Sequence, residues 1–281
     1  MILVVLTGSI ASSAPTTPIT PKRIGMSAPA SLWDQRINEV GACGVTARRI
    51  FADVVSGGSS QMNLIQDAVN DGMLPVISYK VPNVTTLING GYDSWLTALK
   101  ADLVGLNTQV TATFWHEPNG DMTGTQFQQA SQKFYDKVNA ANIEVGPILN
   151  GWLLDNQQST FASFTNATLL SEWEFVAVDS YQSGDPTNPG TKMPARAIPL
   201  LATWLDNHGQ PNKPIGLGEY NGFSAAAIQQ AGEAILSTPE VWFGLAWNST
   251  GDSYSPLTGD RLTAYQATKA DSRALHLSPP C

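Results

Sequence analysis

The chain has 281 residues, 42% of them hydrophobic, which suits one large α/β domain or two ordinary ones. Only 14% are charged, the formal net charge is -8, and no basic run occurs, which excludes a nucleic-acid or anionic-membrane partner and favours a neutral one. Asn, Gln, Ser and Thr stand where surface charge is usual, a composition that favours an extracellular setting.

In chain order, residues 1–21 read as a leader or Pro/Thr-rich segment, and 22–281 as one domain. The opening MILVVLTGSIASSAPTTP is apolar, then small and polar, like a short signal peptide with Ser12 and Ala14 near a cut. Against this, no Lys or Arg precedes the apolar run, and Pro15 would follow the cut. No other stretch is long enough to span a membrane. Short apolar runs then alternate with longer amphipathic segments. Strands are expected at 23–29, 47–54, 74–81, 109–117, 144–152, 174–181, 213–220 and 241–248. The clearest helix is TGTQFQQASQKFYDKVNAAN, where Phe127, Ala130, Phe134, Val138 and Ala141 share a face. Ser224 is placed to cap a second. Gly44, Gly72 and Gly209 sit near helix ends, where a left-handed cap is common.

Eight strand–helix units of about 30 residues each match a single-domain (β/α)8 TIM barrel. The rival, an open doubly wound sheet, often carries a Gly-rich phosphate loop after its first strand, and MSAPASLWD has none. In a barrel, active groups come from the C-terminal ends of strands and the loops that follow.

Glu117 ends the fourth expected strand and Glu219 the seventh, so both project over one mouth. A carboxylate at the end of a buried strand must be solvated, paired or used. Either glutamate alone reads first as solvated or salt-bridged; the pair, each flanked by an aromatic (Trp115, Tyr220), reads as the two carboxyls of a glycosidase. One protonates the leaving oxygen; the other attacks the anomeric carbon or activates water, with a gap of about 5–5.5 Å giving retention and a wider one inversion.

The run FWHEPNGD resembles the His-Glu-x-Asn-Gly motif of glycoside hydrolase family 26, the family of β-mannanases and some related β-glycanases. FVAVDSYQ resembles that family's sixth strand, PIGLGEYN its nucleophile strand and VWFGLAWN its eighth, in the right order across residues 109–248. The resemblance implies a clan A (β/α)8 barrel and hydrolysis with retention. It makes Glu117 the acid/base and Glu219 the nucleophile, sets His116 beside the reacting sugar and puts Tyr181 near Glu219. Two departures stand out. Thr113 and Phe114 replace the usual Arg-Pro, and Asp121, Met122 and Thr123 replace a Trp-rich run that stacks sugar, which bears on mannan specificity.

The mechanism requires Glu117 protonated while Glu219 is ionised. Tyr181 is a candidate donor to Glu219. For stacking on sugar, Trp247 at the end of the last strand ranks first; Trp152 and Tyr79 end strands 5 and 3, and Trp33 and Trp115 follow. Asp179 is placed to hold a sugar hydroxyl or a neighbouring loop. Arg49 could pair with Glu219 but reads first as an ordinary strand arginine. His116, His208 and His276 form no cluster with ligand spacing, so neither metal nor cofactor is expected. In a closed barrel the first and last helices are neighbours, which pairs Cys43 with Cys281 as an expected disulfide. The expected function is a secreted retaining endo-β-glycosidase acting on a neutral polysaccharide, β-mannan before β-glucan or xylan. The alternatives are a non-catalytic glycan-binding barrel and a hydrolase of a host cell-wall glycan. The sequence leaves the oligomeric state open.

Overall fold

A computed structural model of the protein describes residues 21–54, 59–251 and 253–277. Nine strands, all pairing in parallel, form one curled sheet with helices packed outside it. They are β1 (Arg23–Ser27), β2 (Ala47–Asp53), β3 (Leu74–Lys80), β4 (Val110–Phe114), β5 (Ile143–Val145), β6 (Ile148–Asn150), β7 (Val176–Tyr181), β8 (Ile215–Asn221) and β9 (Val241–Trp247). The order is β5-β4-β3-β2-β1-β9-β8-β7-β6: β1 pairs with the last strand, β9, and every other bonded pair is consecutive in sequence, whereas the doubly wound order 3-2-1-4-5-6 sets the first strand beside the fourth.

The strand expected over 144–152 is instead two, and its last two residues open a helix, Gly151–Asn156. The reason is local. Pro147 has no N–H to offer a ladder, and the residue before a proline is restricted as well. A side chain on Gly146 would meet the Phe175 carbonyl at 2.3 Å, so the backbones approach closely there. Before this point the chain hangs on β4, with Gly146 N–H donating to Ala112 O at 3.3 Å; after it, Ala177 N–H donates to Pro147 O at 2.9 Å. The two ends of the strand order are thus separated in sequence by two residues only.

Parallel strands covered on both faces read as nearly unbroken apolar runs, and these do. One face of the sheet encloses Ala47, Leu74, Val76, Ile148, Phe175, Ala177, Phe243 and Leu245. The other packs against the helices in a larger core. The helix Gly124–Val138 buries Phe127, Ala130, Phe134 and Val138, and Thr123 and Gln126 close a capping box at its start. It stops at Val138, so Ala141 lies beyond it and is exposed. Ser224 accepts from Ala227 N–H and caps Ala225–Ser237 as expected. Residues 1–20 of the candidate leader (1–21) and Cys281, the expected partner of Cys43, lie outside the described residues. No helix among the described residues is long and apolar enough to cross a membrane.

One irregularity positions a side chain. Val178 pairs with Leu217 and Asp179 with Glu219, while Leu217 pairs with Gly244 and Tyr220 with Ala246. β8 therefore carries one extra residue, at Gly218–Glu219, against both neighbours. Strict alternation would turn Glu219 outward with Leu217; the bulge turns it inward and leaves Leu217 and Tyr220 in the outer core. Gly218 gives the room, because a methyl there would lie 2.6 Å from Asp179 Oδ1 and 2.6 Å from Ile148 Cγ2. Gly218→Ala is expected to lower stability by about 1–3 kcal/mol, read from urea denaturation midpoints. A midpoint equal to that of the wild type would mean the bulge is loosely packed.

Candidate active site

β4 ends at Phe114, and the next three residues leave strand geometry. Trp115 and Glu117 both have φ of 49°, the left-handed region that side chains other than Gly rarely adopt. Such strain persists only where the surroundings hold it. Here Trp115 N–H donates to Tyr79 O at 3.0 Å, extending the β3 side, while Glu117 N–H donates to Ile148 O at 3.0 Å, on β6. The kink thus carries the chain across from β3 to β6 and aims Glu117 at the mouth.

Glu117, Asp179 and Glu219 come together there. Asn150 Nδ2 donates to Glu117 Oε1 at 2.9 Å. Burial, reinforced by the negative charge of Glu219, pushes the Glu117 carboxyl up to about 7. Burial also raises Glu219, but Arg49 and Tyr181 oppose it: Arg49 Nε lies 3.6 Å from Oε1, and Tyr181 Oη donates to Oε2 at 2.5 Å. Arg49 is therefore the counter-charge of Glu219 rather than an ordinary strand arginine. Burial and then Glu219 push the Tyr181 phenol up, so it keeps the proton it donates. Asp179 is fully buried, and neither of its oxygens has a hydrogen-bond partner among the described residues. Burial, then Glu219 and Glu117, push it well above the usual carboxylate range.

His116 stands between the two left-handed residues, its ring 5.1 Å from that of Phe51. Burial first, then Arg49 and Lys80, hold it neutral. Trp247 meets Phe51 edge to face, centroids 6.2 Å apart, on the same side of the mouth. On the other side a cleft of about 170 Å³ is lined by Glu117, Asn150, Trp152, Asp179, Tyr181 and Tyr254, among others. Trp152 is 57% exposed there, and Tyr254 stacks between Tyr181 and Phe223.

Two expected contacts fail. Tyr79 points outward from β3 into the helical layer, against Trp95 and Phe134, and is 1% exposed. Strand alternation explains this: the neighbouring odd–even set Leu74, Val76 faces inside, so residue 79 faces out. Trp33 is likewise buried in the outer core, with the Arg48 guanidinium over its ring at 4.0 Å. Trp115 is held at the rim by Asp121, which accepts from its Nε1 at 2.8 Å, with Lys80 Nζ over its ring at 5.0 Å. Sequence reasoning missed Asn150, Lys80 and Phe51. All three lie at or near strand C-terminal ends, the rule that found Glu117, but none belongs to a residue type that stands out. No group of His, Cys, Asp or Glu able to hold a metal ion occurs among the described residues.

Comparison with solved structures is informative at this point. The fold is shared with solved glycoside hydrolases. The endoglucanase Cel5A of Thermotoga maritima superposes with a TM-score of 0.59 at 11% identity, covering 86% of this chain and 96% of that one. A family 5 xyloglucanase from Paenibacillus pabuli gives 0.58 at 12% identity, covering 90% and 100%. A family 5 glycoside hydrolase of Prevotella bryantii, solved with a xyloglucan tetradecasaccharide, gives 0.55 at 14% identity, covering 87% and 91%. These neighbours are described as family 5, whereas the sequence motifs resemble family 26. No family model matches the sequence, and no curated protein is similar to it.

Because the charge of Glu219 raises Glu117, Glu219→Gln should lower the Glu117 pKa below about 7. Carbon-detected NMR titration of the side-chain carboxyls measures this; an unmoved Glu117 would show that the two groups do not face each other.

Proposed function

We propose that this chain is a retaining endo-β-glycosidase of clan A, that its nine strands are an eight-stranded (β/α)8 barrel with the fifth strand interrupted at Pro147, and that Glu117 and Glu219 are its acid/base and nucleophile. The observation that carries the reading is the asymmetry of two facing glutamates. Glu117 is raised to about 7 and has a neutral amide for a partner, while Glu219 has a guanidinium and a phenol. Paired carboxyls whose surroundings push them apart are how acid and base roles are divided at neutral pH.

In the first step Glu117 gives its proton to the glycosidic oxygen as Glu219 attacks the anomeric carbon, forming a glycosyl ester and releasing the leaving sugar. In the second, Glu117, now ionised, takes a proton from water, which displaces Glu219 with a second inversion. Tyr181 and Arg49 receive the Glu219 carboxylate as it departs. His116, neutral, and the buried Asp179 are hydroxyl partners for the bound sugar, and Trp247 and Trp152 are stacking surfaces at the mouth. Tyr79 is not part of this set.

The substrate we propose is a neutral β-linked polysaccharide. The motif resemblance favours β-mannan; the neighbours described above favour β-glucan or xyloglucan, and Thermotoga maritima Cel5A has been solved with both cellobiose and mannotriose. The low charge of the chain supports an uncharged substrate and secretion.

Reducing-end release across a polysaccharide panel tests the reading, with the anomer of the first product followed by proton NMR and expected to be retained. Glu219→Ala should abolish release. Glu117→Ala should lower kcat about 10²–10⁴-fold on polysaccharide, and less on an aryl glycoside whose phenol departs without a proton. The acid form of Glu117 exists below its pKa, so kcat should fall as pH rises through about 7. Wild-type protein that binds glycan yet frees no sugar would establish the binding-barrel alternative instead.

A further inference from the structure

We propose that Phe51 is a sugar-contacting residue of this site, forming with Trp247 an apolar corner against which a bound ring rests. The inference rests on the glycosidase reading and adds to it a residue that no motif marks. β2 alternates, and Ala47 and Arg49 put its odd residues on the inner face, since Ala47 lies in the enclosed cluster and Arg49 reaches Glu219. Phe51 continues that face to the rim.

Its surroundings are all site residues. The Arg49 guanidinium covers one face of the ring at 4.4 Å, His116 is tilted against it at 5.1 Å, and Trp247 meets it edge on at 6.2 Å. Even so, the residue is 39% exposed. Four large hydrophobics among the described residues are exposed: Leu32, Phe51, Val104 and Trp152. Leu32 and Val104 lie on helical segments outside the sheet; the two aromatics both lie at the mouth, Phe51 against His116 and Trp152 in the cleft that Glu117 lines. Apolar surface left open costs roughly 25 cal/mol per Å² that a core position would recover. An aromatic face held open inside a polar rim is suited to the C–H face of a sugar. With Arg49 on one side and neighbours at the edges, the remaining open surface is the part available to a ligand.

The test compares Phe51→Ala, Phe51→Leu and Phe51→Tyr with the wild type on whichever polysaccharide the wild type hydrolyses, reading kcat and KM separately and checking folding by circular dichroism. Stacking predicts that Phe51→Ala raises KM about tenfold, roughly the loss of 1.4 kcal/mol, that Leu, which keeps bulk over Arg49, does not restore it, and that Tyr does. If Phe51→Ala does not fold, the Leu and Tyr pair carries the comparison. KM unchanged in Phe51→Ala, or fully restored by Leu, would make the ring a mere cover for Arg49 and overturn the proposal while leaving hydrolysis intact. Absence of any sugar release by the wild type would instead remove the hydrolase reading and this one with it.

Discussion

Two breaks in regular strand geometry govern this structure. One is the left-handed pair at Trp115 and Glu117; the other is the extra residue at Gly218–Glu219. The second turns Glu219, which strict alternation would direct outward, into the mouth; the first carries the Glu117 backbone across from the β3 side to Ile148 of β6. Both are held by bonds and contacts of the sheet itself. Glu117 N–H is fixed by Ile148 O, and the bulge by the contact of Gly218 with Asp179 and Ile148. Ile148 appears in both, so β6 is the common support. The irregular join at Gly146–Pro147 that creates β6 is therefore part of how the carboxyls meet.

Bringing three carboxyls into a buried site is electrostatically costly, and the neighbours divide that cost unequally. Arg49 and the Tyr181 phenol are spent on Glu219. Asn150 Nδ2 donates to Glu117, and neither side-chain oxygen of Asp179 has a hydrogen-bond partner among the described residues. The result is three raised carboxyls, with a guanidinium and a phenol set directly against the rise at Glu219. Chemistry needing a proton on one side of a bond and a nucleophile on the other requires that inequality, not a particular sugar.

The alternation of apolar runs with amphipathic segments made the parallel sheet, most strand limits and the helix Gly124–Val138 legible. Most of both faces of the sheet is buried, so apolar residues occur on either side of its strands, and that is why period-two reasoning was of little use along them. The misassignment of Tyr79 follows from the same fact. On a strand buried on both sides, nothing local says which face an aromatic takes, and only its register with Val76 decides. The fifth strand was read as one because its apolar residues continue across Pro147, while the change of hydrogen-bonding partner there depends on β4 and β7, far away in sequence.

The sequence by itself placed two glutamates near the C-terminal ends of strands three units apart, placed Tyr181 on a strand between them, and carried no basic run. These follow from residue type and spacing, which are local. Only the tertiary structure decided that Arg49 faces Glu219, that the Asn150 amide donates to Glu117, that Asp179 is buried without a hydrogen-bond partner among the described residues, and that Phe51 stands open at the rim. Each of these is a meeting between strands that are remote along the chain. A carboxyl's protonation is set by the solvent and charges around it, and those are fixed only when the sheet has curled and its ends have come together.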